Sequence, residues 1–474
     1  MAALMNCADL SRALGARLIS FNHSQDHSHD IDSVSIDSRT IQPKALFVAL
    51  RGEVTDGHNY IKNAFEKGAT AVMIDKIHWE SEGKPIAEIA GKCYGIILVV
   101  EDTLRGLQKT AEYYLEQFPQ LLKIGITGSS GKTSTKEITA AMVGEEKKVV
   151  MSQGNLNSET GLPLSVFAVR DFHEIGIFEL GINRPGEMKE IAGVLKPHIA
   201  LITNIGSAHI GFLGKQGIAE EKKMIFSRFS GTETALVPYD DFYRDFLAQG
   251  VKGNVVFYGA GQTQELGEVR NKGIDGFDIQ WDGQSTHFGL AGEHNLKNAL
   301  AAAAIAKQVN ISSDAIRRGF AKAKGLFGRT EIIRDKITLI RDCYNANPES
   351  MKAAIDMCDS LDVSGKRVYV IGSMLELGNE TQNAHEKLGT QLALSKADII
   401  CFYGEETQSA LSALLHINNI NNNAHNNAVF HTSNREELTS FLSDNVKDGD
   451  LVLLKGSRAC ALEKLSGILI AGAD

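Results

Sequence analysis

The chain has 474 residues, of which 43% are hydrophobic and 23% charged, and its formal net charge is -9. This composition is typical of a globular protein, and about 150 residues per domain predicts about three domains. The sequence has no apolar run of roughly 18 residues, as a membrane span needs, and its start lacks a secretory signal pattern. The sequence has no C-x-x-C pair, which disfavours a disulfide framework and a zinc ribbon. It has no basic stripe, which disfavours nucleic acid as the main partner. We therefore expect a cytoplasmic protein with reduced thiols.

Short apolar segments alternate with segments of helical period along most of the chain. Residues 45–50, 70–74 and 95–100 predict strands, and 60–68 predicts a helix that Gly68 ends. Further strands are predicted at LKIGIT (122–127), GIFEL (176–180), IALITNI (199–205), ALVPY (235–239), RVYVIG (367–372), ADIICFYG (397–404) and DLVLLKG (450–456). Near-continuous apolar strands separated by helices are typical of parallel sheets in α/β proteins.

Two segments are low in complexity. Residues 20–30 (SFNHSQDHSHD) contain His23, His27 and His29, and residues 416–427 (HINNINNNAHNN) are rich in asparagine. A metal site at the histidines is one interpretation, but a polar segment without strand or helix period favours a solvated loop. We predict a surface loop for the asparagine-rich segment as well.

The segment GSSGKTS, residues 128–134, follows a predicted strand and precedes a segment of helical period. The strict phosphate-loop pattern would place a glycine at position 126, where the chain has Ile126. A glycine-rich turn before a helix is the alternative interpretation, but the strand–loop–helix context favours phosphate binding. Lys132 would then bind the β- and γ-phosphates, and Thr133 would bind Mg²⁺.

Two further candidate ligands follow predicted strands. Glu179 lies at the carboxyl end of the strand at 176–180, and His209 comes just after the strand at 199–205. Ligands of open α/β sheets bind at the carboxyl ends of strands, and a carboxylate there suits Mg²⁺. From position alone, Glu179 could equally cap a helix or form a salt bridge, and His209 could be an ordinary loop residue.

Seven motifs occur in the order found in the Mur ligases, which the chain resembles over essentially its whole length. They are TGSSGKTSTKE (127–137), GNLNSETGLP (154–163), FELG (178–181), NIGSAHIGF (204–212), AGEHNLKNALAAAA (291–304), GR (328–329) and YNANPES (344–350). This family uses ATP to form an amide from a carboxylate and an amine, and its phosphate loop has the shortened form seen here. Within the family, YNANP and the terminal KGSR (455–458) indicate the activity that adds D-alanyl-D-alanine to a UDP-N-acetylmuramoyl-tripeptide.

The resemblance implies a nucleotide site. The ATP-binding residues it implies are Gly128, Ser129, Ser130, Gly131, Lys132, Thr133, Ser134, Asn295, Arg329, Asp342, Asn345 and Asn347. Asn295 would contact adenine, Asp342 the ribose, and Arg329 the phosphates from across a domain junction.

The resemblance also implies two Mg²⁺ ions. Thr133 and Glu179 would hold the first, His209 would help to hold the second, and Lys222 would be carbamylated by CO₂. Carbamylation converts a cation into an oxygen-bearing anion, which suits Mg²⁺. The catalytic residues would be Lys132, Glu179, His209 and Lys222. A surface lysine is the alternative for Lys222. The neighbouring Lys223 makes the register ambiguous, but the spacing to the following Ile-Phe pair favours Lys222; Met224 stands where relatives often carry an acid.

The residues that the resemblance assigns to the UDP substrate lie in the first 160 residues of the chain. They are Ser38, Arg39, Asp56, Gly57, His58, Asn155, Asn157 and Thr160. Arg39 suits a diphosphate because its guanidinium is planar and bidentate, although Ser38 and Arg39 could also form a simple turn before a strand. In GSMLELG (372–378), Ser373 replaces the acid that relatives usually carry, whereas Glu376 and His385 are retained.

We therefore predict an α/β protein of three domains. A small α/β domain for the UDP substrate would occupy residues 1–100, a central P-loop ATPase-like domain with a parallel sheet residues 101–328, and a Rossmann-like domain for the amine substrate residues 329–474. The resemblance implies a monomer. A sibling ligase using another amine, a P-loop nucleotide switch and a UDP-sugar scaffold remain as alternatives; the retained Lys132 and Glu179 disfavour the scaffold.

Overall fold

A computed structural model describes residues 3–21, 29–52, 54–206, 210–421 and 428–470. The chain divides into two compact units. Unit 1 comprises Met1–Gly125 and Lys147–His198, and unit 2 comprises Ile126–Glu146 and Ile199–Asp474.

The elements are numbered in chain order. The strands are β1 (Met5–Asn6), β2 (Arg17–Ser20), β3 (Asp30–Ile31), β4 (Ser33–Ser35), β5 (Ala45–Val48), β6 (Ala69–Asp75), β7 (Ile96–Val100), β8 (Leu122–Thr127), β9 (Val149–Met151), β10 (Ile175–Glu179), β11 (Ile199–Ile202), β12 (Thr234–Pro238), β13 (Asn254–Tyr258), β14 (Leu266–Asn271), β15 (Phe277–Trp281), β16 (Gln284–Phe288), β17 (Glu331–Arg334), β18 (Thr338–Asp342), β19 (Arg367–Gly372), β20 (Ile399–Tyr403), β21 (Ala428–Thr432) and β22 (Leu451–Lys455). The α-helices are α1 (Cys7–Leu14), α2 (Ile61–Glu66), α3 (Lys76–Lys92), α4 (Thr103–Glu116), α5 (Lys132–Val143), α6 (Gly161–Val166), α7 (Glu187–Leu195), α8 (Ile210–Lys223), α9 (Arg244–Ala248), α10 (Glu293–Gln308), α11 (Ser313–Lys322), α12 (Pro348–Ser360), α13 (Thr381–Ala393), α14 (Gln408–Asn421), α15 (Arg435–Asn445) and α16 (Ser466–Leu469).

Unit 1 contains a five-stranded sheet in the order β2-β7-β6-β5-β4. Strands β4 to β7 are parallel, and β2 pairs antiparallel with β7. The predicted helix at 60–68 forms as α2, and Gly68 follows it with φ +97°, a backbone conformation that favours glycine. Asp75, the last residue of β6, caps α3 by accepting a hydrogen bond from His78 N (2.9 Å). Further along, β10 pairs in parallel with β9.

Unit 2 contains three sets of strands. Strands β11, β12 and β13 pair in parallel. Strands β14, β15 and β16 form a separate antiparallel sheet, and a six-stranded sheet has the order β17-β18-β22-β19-β20-β21. In this last sheet only β17 pairs antiparallel with its neighbour.

The sheet of the C-terminal third is covered on both faces. Tyr369 and Ile371 of β19 belong to one hydrophobic cluster, whereas Val368 and Val370 belong to another. Successive side chains of a strand point to opposite faces, so a strand buried on both faces needs an unbroken apolar run. The predicted α/β class, with parallel sheets and a Rossmann-like C-terminal part, is confirmed.

Some sequence predictions need correction. The asparagine-rich segment is not a loop throughout, because residues 416–421 belong to α14. His23 and His27 lie outside the described residues. The predicted domain boundaries near residues 100 and 328 stay predictions.

Within the described part of the chain, none of the helices combines the length and the hydropathy that crossing a membrane requires.

Candidate active site

The loop between β8 and α5 has the backbone geometry of an anion-binding loop. Gly128 has φ +151° and Gly131 has φ +81°. A Cβ atom on Gly128 would lie 1.8 Å from Thr203 Oγ1, and one on Gly131 would lie 2.3 Å from Asn298 Oδ1. Glycine is therefore required at both positions. The N-terminus of α5, which attracts anions, follows directly.

Asn204 holds the tip of this loop. Ser130 N donates to Asn204 Oδ1 (3.1 Å), and Asn204 Nδ2 donates to Ser130 O (2.9 Å). Ser129 N donates to Asn204 O (3.0 Å). Asn204 lies in the NIGSAHIGF motif, but its role could not be recognised because its partners lie more than 70 residues earlier in the chain.

Lys132, Thr133 and Ser134 are the first three residues of α5. Lys132 Nζ donates to Gly128 O (2.9 Å), so the ammonium lies against the loop that it belongs to. Thr133 is buried, and Ser134 is half-buried. The loop thus brings one cation and two hydroxyl groups to a single helix N-terminus, as phosphate binding requires.

We expect Gly128→Ala to destabilise the protein by about 2 kcal/mol and to weaken ATP binding by about tenfold or more, because the added methyl group collides with Thr203 at a left-handed backbone position. Urea unfolding and calorimetric titration with ATP measure the two effects. Gly261→Ala is the matched control, since a Cβ there meets no atom within 4 Å. Unchanged ATP affinity in Gly128→Ala would contradict the assignment of this loop.

Lys222 and Lys223 have different surroundings. Lys222 is only 1% exposed, and its ammonium has no hydrogen bond or ion pair with another described residue. Burial and the nearby charge of Lys132 hold the pKa of Lys222 well below its ordinary value. Lys223 Nζ instead donates to the carbonyl oxygens of Phe246 and Gln249, both at 2.7 Å. Lys222, which the sequence spacing favours, is thus the buried lysine of the two.

The YNANP motif meets the phosphate loop. Asn347 caps α12 by accepting a hydrogen bond from Ser350 N (2.8 Å), and its Nδ2 donates to Ser130 Oγ (3.0 Å). One side chain thus connects the start of a helix to the tip of the loop. Asn345 contributes its backbone: Asn345 O accepts a hydrogen bond from Lys455 Nζ (2.8 Å).

The other predicted nucleotide residues of unit 2 are also held by specific contacts. Asp342 accepts a hydrogen bond from Thr330 N (3.0 Å) and pairs with the buried Lys455 (3.0 Å). The Arg329 guanidinium lies 4.0 Å from the centre of the Tyr344 ring. The buried Asn295 donates from Nδ2 to a backbone carbonyl (2.9 Å). Lys455 was not predicted as a site residue, although it begins the quoted KGSR motif.

In unit 1, Glu179 is buried at the end of β10. Asn157 Nδ2 donates to Glu179 Oε1 (2.7 Å), and Asn157 N donates to Asn155 O (2.8 Å). Thr160 is the residue before α6. The GNLNSETG loop and the end of β10 therefore form one hydrogen-bonded group, as expected if both face the same ligand.

Ser38 and Arg39 lie in a turn after β4. Ser38 is buried, whereas the Arg39 side chain is 85% exposed. The Arg39 guanidinium makes a hydrogen-bonded ion pair with Asp37 (2.8 Å), which holds the pKa of Asp37 at about 2. Arg39 is thus a surface cation that an incoming anion can reach.

Asp56, Gly57 and His58 are built into a polar network. His58 Nε2 accepts from Asp75 N (3.2 Å), so Nδ1 carries the proton and donates to Asp56 Oδ1 (2.6 Å). Burial lowers the pKa of His58, which keeps the ring neutral. Position 57 requires glycine, because a Cβ atom there would lie 2.7 Å from Leu50 O. His78 stacks on His58 with ring centres 3.6 Å apart.

The remaining predicted residues are His209, Glu376 and His385. His209 lies outside the described residues. Glu376 is exposed with φ +64°. His385 is fully buried, with Nε2 accepting from Met374 N (3.1 Å) and Nδ1 donating to Thr381 O (2.7 Å). Both nitrogens of His385 therefore serve the protein's own backbone.

Family models match three segments of the chain. Residues 30–113 match the Mur ligase family, catalytic domain; residues 126–306 match the Mur ligase middle domain; and residues 328–458 match the Mur ligase, glutamate ligase domain.

Similar proteins extend these matches to nearly the full length. A UDP-N-acetylmuramoyl-tripeptide–D-alanyl-D-alanine ligase of Treponema pallidum is 42% identical, with 92% of this chain and 94% of that protein covered. The Bacillus subtilis ligase of the same name is 33% identical, with 93% of each chain covered. A crystal structure of MurF from Acinetobacter baumannii has a TM-score of 0.84 at 29% identity, with 98% of each chain covered. The MurF ligase of Thermotoga maritima in complex with ADP has a TM-score of 0.77 at 26% identity, with 92% of this chain and 96% of that one covered.

Proposed function

This chain belongs to the Mur ligase family, and from that premise we propose that it adds D-alanyl-D-alanine to a UDP-N-acetylmuramoyl-tripeptide in peptidoglycan precursor synthesis. The observation that carries the proposal is the 42% identity with the Treponema pallidum ligase over 92% of the chain. The geometry of the loop at 128–134 supports ATP as the second substrate.

The proposed chemistry has two steps. The tripeptide carboxylate attacks the γ-phosphorus of ATP, which gives an acyl phosphate and ADP. The amine of D-alanyl-D-alanine then attacks the acyl carbon, the C–O bond to phosphate breaks, and a proton leaves the nitrogen. Lys132 neutralises charge on the transferring phosphoryl group, and the loop amides around Gly128 and Gly131 hold the phosphates. Asn295, Arg329, Asp342, Asn345 and Asn347 complete the proposed ATP site.

Thr133 and Glu179 are proposed as Mg²⁺ ligands from their sequence motifs, because a hydroxyl and a carboxylate each offer the oxygen that magnesium prefers. A bound Mg²⁺ would supply positive charge next to the phosphates. Lys222 fits carbamylation, since only a neutral amine reacts with CO₂ and burial favours the neutral form. His209 is proposed as a ligand of a second ion from its sequence motif alone.

The UDP substrate is proposed to bind at unit 1. Arg39 and Ser38 would contact the diphosphate, and Asp56, Gly57 and His58 would form the other half of that site. Asn155, Asn157 and Thr160 would contact the muramoyl arm, since their loop is hydrogen-bonded to Glu179. We also propose a cytoplasmic location, because ATP and a UDP-linked substrate are both cytoplasmic metabolites. The resemblance to the family is the reason for proposing a monomer, which light scattering tests.

The test is a ligase assay with ATP, the UDP-muramoyl-tripeptide and D-alanyl-D-alanine. We expect ADP release that depends on both other substrates, together with a new amide detected by mass spectrometry. ADP release without the dipeptide, and without an amide, would instead indicate a nucleotide switch. Activity with a single amino acid but not with the dipeptide would indicate a sibling ligase.

A further inference from the structure

Ser373 directly follows β19, in the GSMLELG segment where the resemblance leads us to expect an acid. It is 2% exposed and carries no charge. Its neighbour β20 is parallel, with Gly372 paired to Tyr403. Both strands therefore end at the same edge of the sheet, where open α/β sheets bind their ligands.

A carboxylate reaches Ser373 from the end of β20. Ser373 Oγ donates to Glu406 Oε2 at 2.6 Å. Gly404 makes this approach possible, because a Cβ there would lie 2.4 Å from Ser373 Oγ, and its φ of +108° favours glycine. The loop after β22 fixes the other side of Ser373, since Ser457 N donates to Ser373 O (3.0 Å).

The charge of Glu406 is available to a ligand. The residue is exposed, and no Lys or Arg of the described chain forms an ion pair with it. The hydrogen bond from Ser373 lowers the pKa of Glu406, so the carboxylate is ionised. The nearby His385 does not cancel the charge: burial lowers its pKa, and both ring nitrogens bind backbone groups.

We propose that Glu406, held by Ser373, is the carboxylate that binds the ammonium of the incoming dipeptide in this chain, in place of an acid at position 373. The inference rests on the proposed function, because it names the acceptor-binding group of that reaction. A carboxylate with a free lone pair at the end of a strand is the partner that an ammonium requires. Glu405 has the same charge at the start of the same short turn, Glu405–Thr407, but no hydrogen bond to Ser373.

Glu406→Gln tests the proposal, with Glu405→Gln as the matched control. Glutamine keeps the length of the side chain and can still accept the Ser373 hydrogen bond, so only the charge is lost. We expect KM for D-alanyl-D-alanine to rise by about 10- to 100-fold, with KM for ATP and for the UDP substrate unchanged. Glu405→Gln should leave all three KM values unchanged.

The rescue is Ser373→Asp in the Glu406→Gln background, which returns a carboxylate to the same place. Restored affinity for the dipeptide supports the replacement, and a failure to restore it overturns the claim that Glu406 stands in for an acid at 373. An unchanged dipeptide KM in Glu406→Gln, or an equal rise of all three KM values, overturns the role itself; thermal unfolding checks that the variant is folded. Failure of the wild type to use the dipeptide refutes the proposed function instead, and is determined first.

Discussion

Replacing Lys132 by methionine should lower kcat by about 10³-fold while the protein stays folded. Lys132 lies against its own phosphate loop through its bond to Gly128 O. Methionine fills nearly the same space but cannot neutralise charge that develops as the phosphoryl group transfers. Rapid-quench measurement of ADP formation isolates this step from product release.

Lys324→Met is the control for Lys132→Met. Lys324 is an exposed lysine of unit 2 for which the structure gives no hydrogen bond or ion pair to another described residue. Its replacement should leave kcat unchanged. If Lys132→Met retained more than about a tenth of the wild-type kcat, Lys132 could not have the role in phosphoryl transfer that we propose.

Replacing Lys222 by methionine should lower kcat by about 10²-fold or more and, at the same time, stabilise the protein. The amine is buried without a partner among the described residues. Its loss removes an unfavourable burial, which we expect to raise the free energy of unfolding by about 1 kcal/mol or more at neutral pH. Activity assays with bicarbonate present measure the loss of kcat, and urea unfolding in CO₂-depleted buffer measures the gain in stability.

The stability that Lys222→Met gains over the wild type should depend on pH. The pKa of Lys222 is lower in the folded protein than its ordinary value of 10.5, so the unfolded chain binds more protons and wild-type stability rises with pH. The stability advantage of Lys222→Met should therefore shrink as the pH rises towards 10.5.

Lys223→Met is the matched control for Lys222→Met. Because Lys223 bonds two backbone carbonyls, its loss should lower stability and leave the chemical step intact. Bicarbonate should raise the activity of CO₂-depleted wild type and of Lys223→Met, but not that of Lys222→Met. Equal losses of activity in both variants would contradict the assignment of Lys222.

The sequence predicted the buried parallel strands well, because a strand covered on both faces must be apolar along its whole length. The antiparallel strands β14 to β16 were not predicted. The segment Gln284–Phe288 has a single buried residue, Phe288, so its pairing rather than its composition makes it a strand. The start of the asparagine-rich segment continues the helical spacing of the residues before it: Ile417 packs into the same core as Ala410 and Leu414.

The candidate site likewise contains some residues that the sequence could indicate and others that it could not. The glycines and lysines of GSSGKTS could be recognised because their chemistry and spacing are local. Asn204, Asn298 and Lys455 could not, because each acts through a partner far away in the chain. The carboxylate at Glu406 belongs to this second group, since the sequence shows only that Ser373 departs from the usual pattern.

The side chain of Asn347 makes two hydrogen bonds, and together they narrow the choice of amino acid at position 347. At most helix starts, Asn, Asp, Ser and Thr are interchangeable, because each offers an oxygen to the backbone. Here the carbonyl half of the amide caps α12, while the NH₂ half donates to Ser130. Aspartate, serine and threonine could each supply the cap, but none has the second nitrogen donor. Of these four residues, asparagine is therefore the one that can both cap α12 and donate a hydrogen bond to Ser130.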